Sequence, residues 1–160
     1  MLYILIVVAV VVLEYYIKNY MEENRNLGDR QEIFGGKIII RKFYNKGAFL
    51  NLLENKKEIV KTVSCVILGL LLLLFTFMLP KKGNKLFKLG LALVLGGAIS
   101  NVYDRLNRGY VVDYFTINYS KLKSVIFNIA DFAIMIGSLL ILLASLFSAE
   151  SQGSTNETAE

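Results

Sequence analysis

Four long apolar runs separated by polar segments constrain this chain of 160 residues more than any other feature. They cover residues 2–18, 59–79, 86–105 and 125–148. About 20 apolar residues at ~1.5 Å rise cross ~30 Å of hydrocarbon. Inside lipid a backbone must satisfy its own hydrogen bonds, and a helix does so. The runs predict a mainly α membrane protein with four transmembrane helices, and an even number of crossings puts both termini on one side. The first run lacks a basic stretch and a small-residue cleavage pattern, which predicts a retained helix rather than a removed signal peptide. Residues 1–148 form one membrane-embedded domain on this reading. The polar tail, 149–160, is expected to be disordered.

The connections differ in character. Residues 19–58 form a long polar loop. Within it, "GGKIIIRKFYN" (35–45) places β-branched and aromatic residues after a Gly-Gly turn signal, the pattern of a strand. A small β-containing subdomain outside the membrane is therefore expected in this first loop. The following "NKGAFLNLLENKKE" has the make-up of a short surface helix. The second connection, "PKKGNKLFK", is tight and basic. The third contains "YVVDYFTI", a second strand-like stretch.

Composition removes whole classes of chemistry. The chain has no histidine, which excludes Ser-His-Asp and Cys-His catalysis and most zinc sites. Its single cysteine, Cys65, lies in an apolar run and is expected to be a buried, inert thiol. An enzyme of this composition must work with carboxylates, Lys, Tyr, Ser or Thr. The formal net charge of +5 suits anionic lipid headgroups, and no nucleic-acid motif is present.

The polar residues inside the runs are clustered. Glu14 and Lys18 end the first, Asn101, Asp104 and Arg105 end the third, and Asn128 and Asp131 begin the fourth. Antiparallel threading brings all of them, with Asp113 of the third connection, to one membrane face. Interfacial anchoring accounts for Lys18 or Arg105 taken singly, and interhelical hydrogen bonding for Asn128. Asp131 is different. Counted from residue 125 it lies roughly 9 Å into its span, with no basic residue after it. Ionisable groups at such depth mark functional sites. Paired with Asp113, it would share a proton and activate water, the arrangement of aspartic proteases.

The segments "GGAISNVYDRLNRGYVVDYF" (96–115) and "FNIADFAI" (127–134) resemble the G-N-x-x-D-R…V-V-D-F and F-N-x-A-D blocks of the lipoprotein signal peptidase (type II signal peptidase) family. Length, four spans and a long first loop agree. The resemblance implies a membrane-embedded aspartic endopeptidase without metal or cofactor. It would act on prolipoproteins carrying a diacylglyceryl cysteine, as a monomer in the bacterial cytoplasmic membrane, with both termini cytoplasmic. It also implies Asp113 and Asp131 as the catalytic pair. Asn101, Arg105, Asn128, Asn45, Glu14 and Lys18 would support the pair or bind substrate. This chain departs from the family pattern at Glu14, where Asp is usual, at Ser100, where Gly is usual, and at Phe49, where a small residue is usual.

Charge counting points the other way on orientation. Four Lys residues lie in 81–88, against thirteen Lys and Arg on the other side: nine in 18–58, with Arg105, Arg108, Lys121 and Lys123. Two further readings stay open from sequence: a small proton-coupled transporter or channel subunit using Asp131 and Glu14, and a non-catalytic paralogue of the peptidase.

Overall fold

The computed structural model of the chain describes residues 1–47 and 54–157. Among the described residues it has four α-helices and three strands. They are α1 (Leu2–Asn24), β1 (Gln31–Ile33), β2 (Ile38–Asn45), α2 (Lys57–Met78), α3 (Lys85–Asn107), β3 (Val111–Ile117) and α4 (Ile129–Glu157). Four helical stretches are long and apolar enough to span a membrane: Leu2–Asn24, Lys57–Met78, Lys85–Asn107 and Ile129–Phe147.

The third run is the least hydrophobic of the spans, and the packing explains why it can be. Of its most apolar window 61% is buried in protein, against 6% for α2. The helix α3 is thus the central column, solvated by α1, α2 and α4 rather than by lipid. Leu91, Ala92 and Leu95 of α3 pack with Val7 of α1 and Phe75 of α2. Against α4 the approach is closer. A Cβ on Gly90 would stand 2.5 Å from the Gly137 carbonyl oxygen, and one on Gly97 2.5 Å from that of Ala130. Small residues that let backbones touch are how helices gain packing energy where no hydrophobic effect separates them from lipid. Cys65, on lipid-facing α2, is partly exposed rather than buried.

The strands form one antiparallel sheet in the order β1-β2-β3. It is not confined to the first loop, as the sequence had suggested, because β3 comes from the third connection. The β1–β2 turn uses Gly35 and Gly36 at φ 65° and 81°, a backbone that side chains rarely tolerate. In the β2–β3 ladder Phe43 faces Asp113 and Asn45 faces Val111, with a register shift between Ile40 and Phe43. The helix α1 outruns its apolar segment and meets the sheet. Glu22 near its end accepts hydrogen bonds from the Tyr44 hydroxyl (2.8 Å) and the Tyr110 hydroxyl (3.3 Å), whose rings stack with centroids 4.1 Å apart. The surface-helix reading of residues 46–55, and Phe49 with it, lies largely outside the described residues.

The two ends of α4 differ from expectation. It begins at Ile129, not at residue 125, because residues before it are held by the sheet. The Phe127 amide donates to the Phe115 carbonyl at 2.7 Å, and the Phe127 carbonyl accepts from Tyr114 and Phe115. At the other end the helical backbone continues to Glu157, into the polar stretch that composition assigns to disorder.

Candidate active site

The late start of α4 changes what Asn128 and Asp131 are. Asn128 stands just before the helix and Asp131 in its first turn. The Asp131 amide donates to Asn128 Oδ1 at 2.9 Å, and the Asn128 amide donates to Asp131 Oδ2 at 3.2 Å. This is the reciprocal capping box, here Asn-x-x-Asp, which satisfies two orphan donors of a helix N-terminus. The carboxylate also lies at the positive end of the helix dipole. Asp131 is therefore not a charge deep in the apolar run. It sits at the mouth of its span, and capping explains the i, i+3 spacing.

Asp113 reaches the same place from the sheet. It is 2% exposed, in the middle of β3. Asn45, two residues beyond the one facing Asp113, lies on the same sheet face. Asn128 Nδ2 donates to Asp113 Oδ1 at 2.7 Å, and Asn45 Nδ2 donates to Asp113 Oδ2 at 3.1 Å. Asn101 Nδ2, from α3, donates to Asp131 Oδ1 at 3.0 Å. All four carboxylate oxygens thus accept a hydrogen bond.

The three amides are held so that only their NH2 ends can face the acids. Asn45 Oδ1 accepts from the Gly47 amide at 3.1 Å, and Asn128 Oδ1 accepts from the Asp131 amide. Asn101 Oδ1 accepts from Lys18 Nζ at 2.9 Å. An amide with its oxygen occupied is a donor of fixed direction. Lys18 is 1% exposed, so it does not snorkel to headgroups. Its ammonium also meets Ser100 Oγ (3.0 Å), Asp104 Oδ2 (3.0 Å) and Glu14 Oε2 (3.2 Å). A buried cation is tolerable when paired and hydrogen-bonded in this way.

Glu14 holds the other side of the junction. Its Oε1 accepts from the Tyr114 hydroxyl at 2.6 Å and from the Ala130 amide at 3.1 Å. The same hydroxyl accepts from the Ile129 amide at 3.0 Å. One carboxylate thus links α1 to the first amides of α4 and to the residue after Asp113. Of the three departures named from sequence, the two that lie among the described residues make bonds here, Glu14 to α4 and Ser100 to Lys18. Arg105 donates to the carbonyls of Asn101 (3.2 Å) and Gly47 (3.1 Å), tying α3 to the end of β2.

Asp113 and Asp131 line a cavity of about 520 Å³ together with Asn45, Asn101 and Arg105. Arg41 and Phe43 of β2, residues 124–127, and Ile134 and Met135 of α4 complete its wall. Burial, and next the charge of Asp131, push the Asp113 carboxyl up to about 7, although the Asn45 and Asn128 bonds pull it down. Among the described residues no group of three or more His, Cys, Asp or Glu side chains could hold a metal ion.

The eight candidate site residues (Glu14, Lys18, Asn45, Asn101, Arg105, Asp113, Asn128 and Asp131) all reach this cluster, but in different positions. Asn45, Asn101 and Asn128 touch the acids, whereas Glu14, Lys18 and Arg105 act one bond further out. Sequence reasoning left out Asp104 and Tyr114 as site residues. Asp104 was legible as the countercharge a buried Lys18 needs. The Tyr114 hydroxyl was not, because its partners lie on α1 and α4.

The fold and site define a class: a four-helix membrane bundle with a surface sheet and a polar cavity at their junction. Two solved structures described as bacterial membrane enzymes share the architecture. One, determined in meso at 2.3 Å, matches with a TM-score of 0.82 and 29% identity over 93% of this chain and 90% of that one. The other, at 1.9 Å, gives 0.76 and 30% over 90% and 92%. The profile of the signal peptidase (SPase) II family matches residues 6–147. The lipoprotein signal peptidase of Lactobacillus johnsonii is 34% identical over 149 residues, covering 93% of this chain and 94% of that protein. That of Listeria monocytogenes serotype 4b is 32% identical over 143 residues, 89% and 92% of the two chains. The chain belongs to the signal peptidase II family, proteases of lipoprotein processing, and is a multi-pass membrane protein of bacterial type.

Proposed function

We propose that this protein is an aspartic endopeptidase that cuts the signal peptide from diacylglyceryl-modified prolipoproteins, with Asp113 and Asp131 as its catalytic pair and one water as nucleophile. The observation that carries the reading is the pair itself: a buried Asp113 and a half-buried Asp131 on one cavity wall, each oxygen held by a donor, with Asn45, Asn101 and Asn128 unable to turn away.

The pair begins with one proton between them, which the raised Asp113 carboxyl favours near neutral pH. The ionised acid takes a proton from water as the oxygen attacks the scissile carbonyl carbon. The protonated acid gives its proton to the carbonyl oxygen, so a neutral gem-diol forms without a free oxyanion. Collapse re-forms the carbonyl, breaks the C–N bond and delivers a proton to the departing amine. The pair returns to one proton. Asn101 and Asn128 fix the acids. Arg105, bonded to the Gly47 carbonyl, keeps the end of β2 over the cavity in the manner of a lid. Both termini are cytoplasmic in this reading and the sheet is extracytoplasmic. The substrate enters sideways from lipid past Ile134 and Met135, and the enzyme works as a monomer among membrane lipids without a cofactor.

Glu14 and Ser100 support activity rather than its loss. A retired site has no need of a Glu14 bonded to Tyr114 and Ala130, or of a Ser100 bonded to Lys18. The test is cleavage of a diacylated prolipoprotein peptide by the purified protein. Asp113→Asn and Asp131→Asn should each lower kcat by about 10²–10⁴-fold, the usual range for loss of a general acid or base. Either variant cleaving at the wild-type rate would remove the pair from the mechanism.

A further inference from the structure

The cavity has one charged group that the proposed chemistry leaves unused. Arg41, on β2, lines it together with Phe43 and Asn45. Its Nε is buried and has no hydrogen-bond partner. Arg30 immediately precedes Gln31, which pairs with Ile40, so the ladder brings the two arginines together. Burial and then the Arg30 charge both lower the Arg41 pKa, so each makes the bare cation harder to keep. Like charges side by side on neighbouring strands are unfavourable, and a buried donor without an acceptor costs further. Among the described residues no acid forms an ion pair with either one. The cavity's own acids are taken up by Asn45, Asn101 and Asn128.

We propose that Arg41, reinforced by Arg30, is a specificity subsite that takes a carboxylate side chain of the substrate on the mature side of the cleaved bond; this rests on the peptidase reading above. Position on the strand fixes the side. Ile134 and Met135 belong to the membrane span α4 and suit the apolar signal segment. Arg41 belongs to the sheet outside the spans and suits the chain that leaves the membrane. Position also fixes the distance. Four residues of strand at ~3.3 Å each put Arg41 roughly 13 Å from Asn45. An extended substrate covers that in about four residues. Residues of β2 and residues 124–127 line the same cavity from either side of β3. Arg, with a planar fork of donors, is the residue suited to hold a carboxylate.

The experiment uses the purified full chain and diacylated peptides with Asp, Asn or Lys at each of the first few positions after the cleaved bond. Wild type should cleave the Asp peptide about tenfold faster, in kcat/KM, than the Asn peptide at one position, the value of one charge-assisted contact. Arg41→Gln should bring that ratio close to one, and Arg41→Glu should invert it toward the Lys peptide. The ratio is internal to each preparation, so a partly unfolded variant does not distort it. No preference at any position, or a ratio unchanged in Arg41→Gln, overturns the subsite. A variant effect that follows the anionic phospholipid content of vesicles, and not peptide charge, also overturns it and assigns Arg41 to a lipid phosphate. Failure of wild type to cleave every peptide would instead count against the peptidase reading.

Discussion

At the scale of the residue, the site depends on the direction of amide groups and hydroxyls more than on the number of charges. Tyr114 shows how. Its hydroxyl donates to Glu14 Oε1 and accepts from the Ile129 amide, while its backbone neighbour is Asp113. It is the pin between the strand that carries one acid and the helix that carries the other. Tyr114→Phe keeps the ring but takes the partner from the part-buried Ile129 amide, at about 1–3 kcal/mol. Thermal denaturation should show a lower Tm, and kcat should fall severalfold while KM stays near its wild-type value. A KM effect alone would mean that the hydroxyl serves substrate binding and not the acids. Asp131 was readable as a candidate from sequence because a carboxylate in an apolar run is conspicuous, and Asp113 because of the motif around it. The pin was not, since a Tyr in "VVDYF" reads equally well as a packed aromatic. The depth of Asp131 was misjudged for a related reason: apolar residues 125–127 look like membrane span but pair with the sheet.

At the scale of the element, the two acids are held in register by the close approach of α3 to α4. Gly97 faces Ala130, next to Asp131, and Gly90 faces Gly137, further along the same seam. In each case an added methyl would lie 2.5 Å from a carbonyl oxygen that belongs to the helix backbone, so the helices themselves must part. Gly97→Ala and Gly90→Ala should both destabilise by about 1–3 kcal/mol, as overpacking does. Their effects on activity should differ. Gly97→Ala separates Asn101 from Asp131 and should lower kcat more than tenfold, whereas Gly90→Ala acts at a distance and should cost less. Equal losses of kcat in the two variants, measured on folded protein, would show that the seam does not transmit register. The helices were legible from their apolar runs and both longer strands from β-branched residues and turns, although α1 and α4 run on to Asn24 and Glu157, past the apolar ends at 18 and 148. The joining of β3 to the first-loop strands was not, because contacts across 68 residues of sequence, such as the Asn45–Asp113 hydrogen bond, leave no local signal.

At the scale of the whole molecule, a buried acid links stability to pH. Asp113 has its carboxyl held at about 7 in the folded chain, against an ordinary 3.8. The folded state therefore binds a proton that the unfolded state releases between those values, and stability falls as pH rises from about 4 to about 7. Above that range the penalty is complete and constant. Asn at the same position cannot ionise and escapes it. In detergent, the Tm of Asp113→Asn minus that of wild type should grow with pH between about 4 and 7 and then level off. Activity should move with it: once both acids are ionised, neither can protonate the carbonyl oxygen. The rate should descend above pH 7 with an apparent value that belongs to the pair and not to either member. A Tm difference that stays flat across the range would mean that Asp113 ionises in the folded protein as it does in water. The proton shared near neutral pH would then have no source, and the neighbouring charge of Asp131 would have to be accommodated by Lys18 through Asn101 alone.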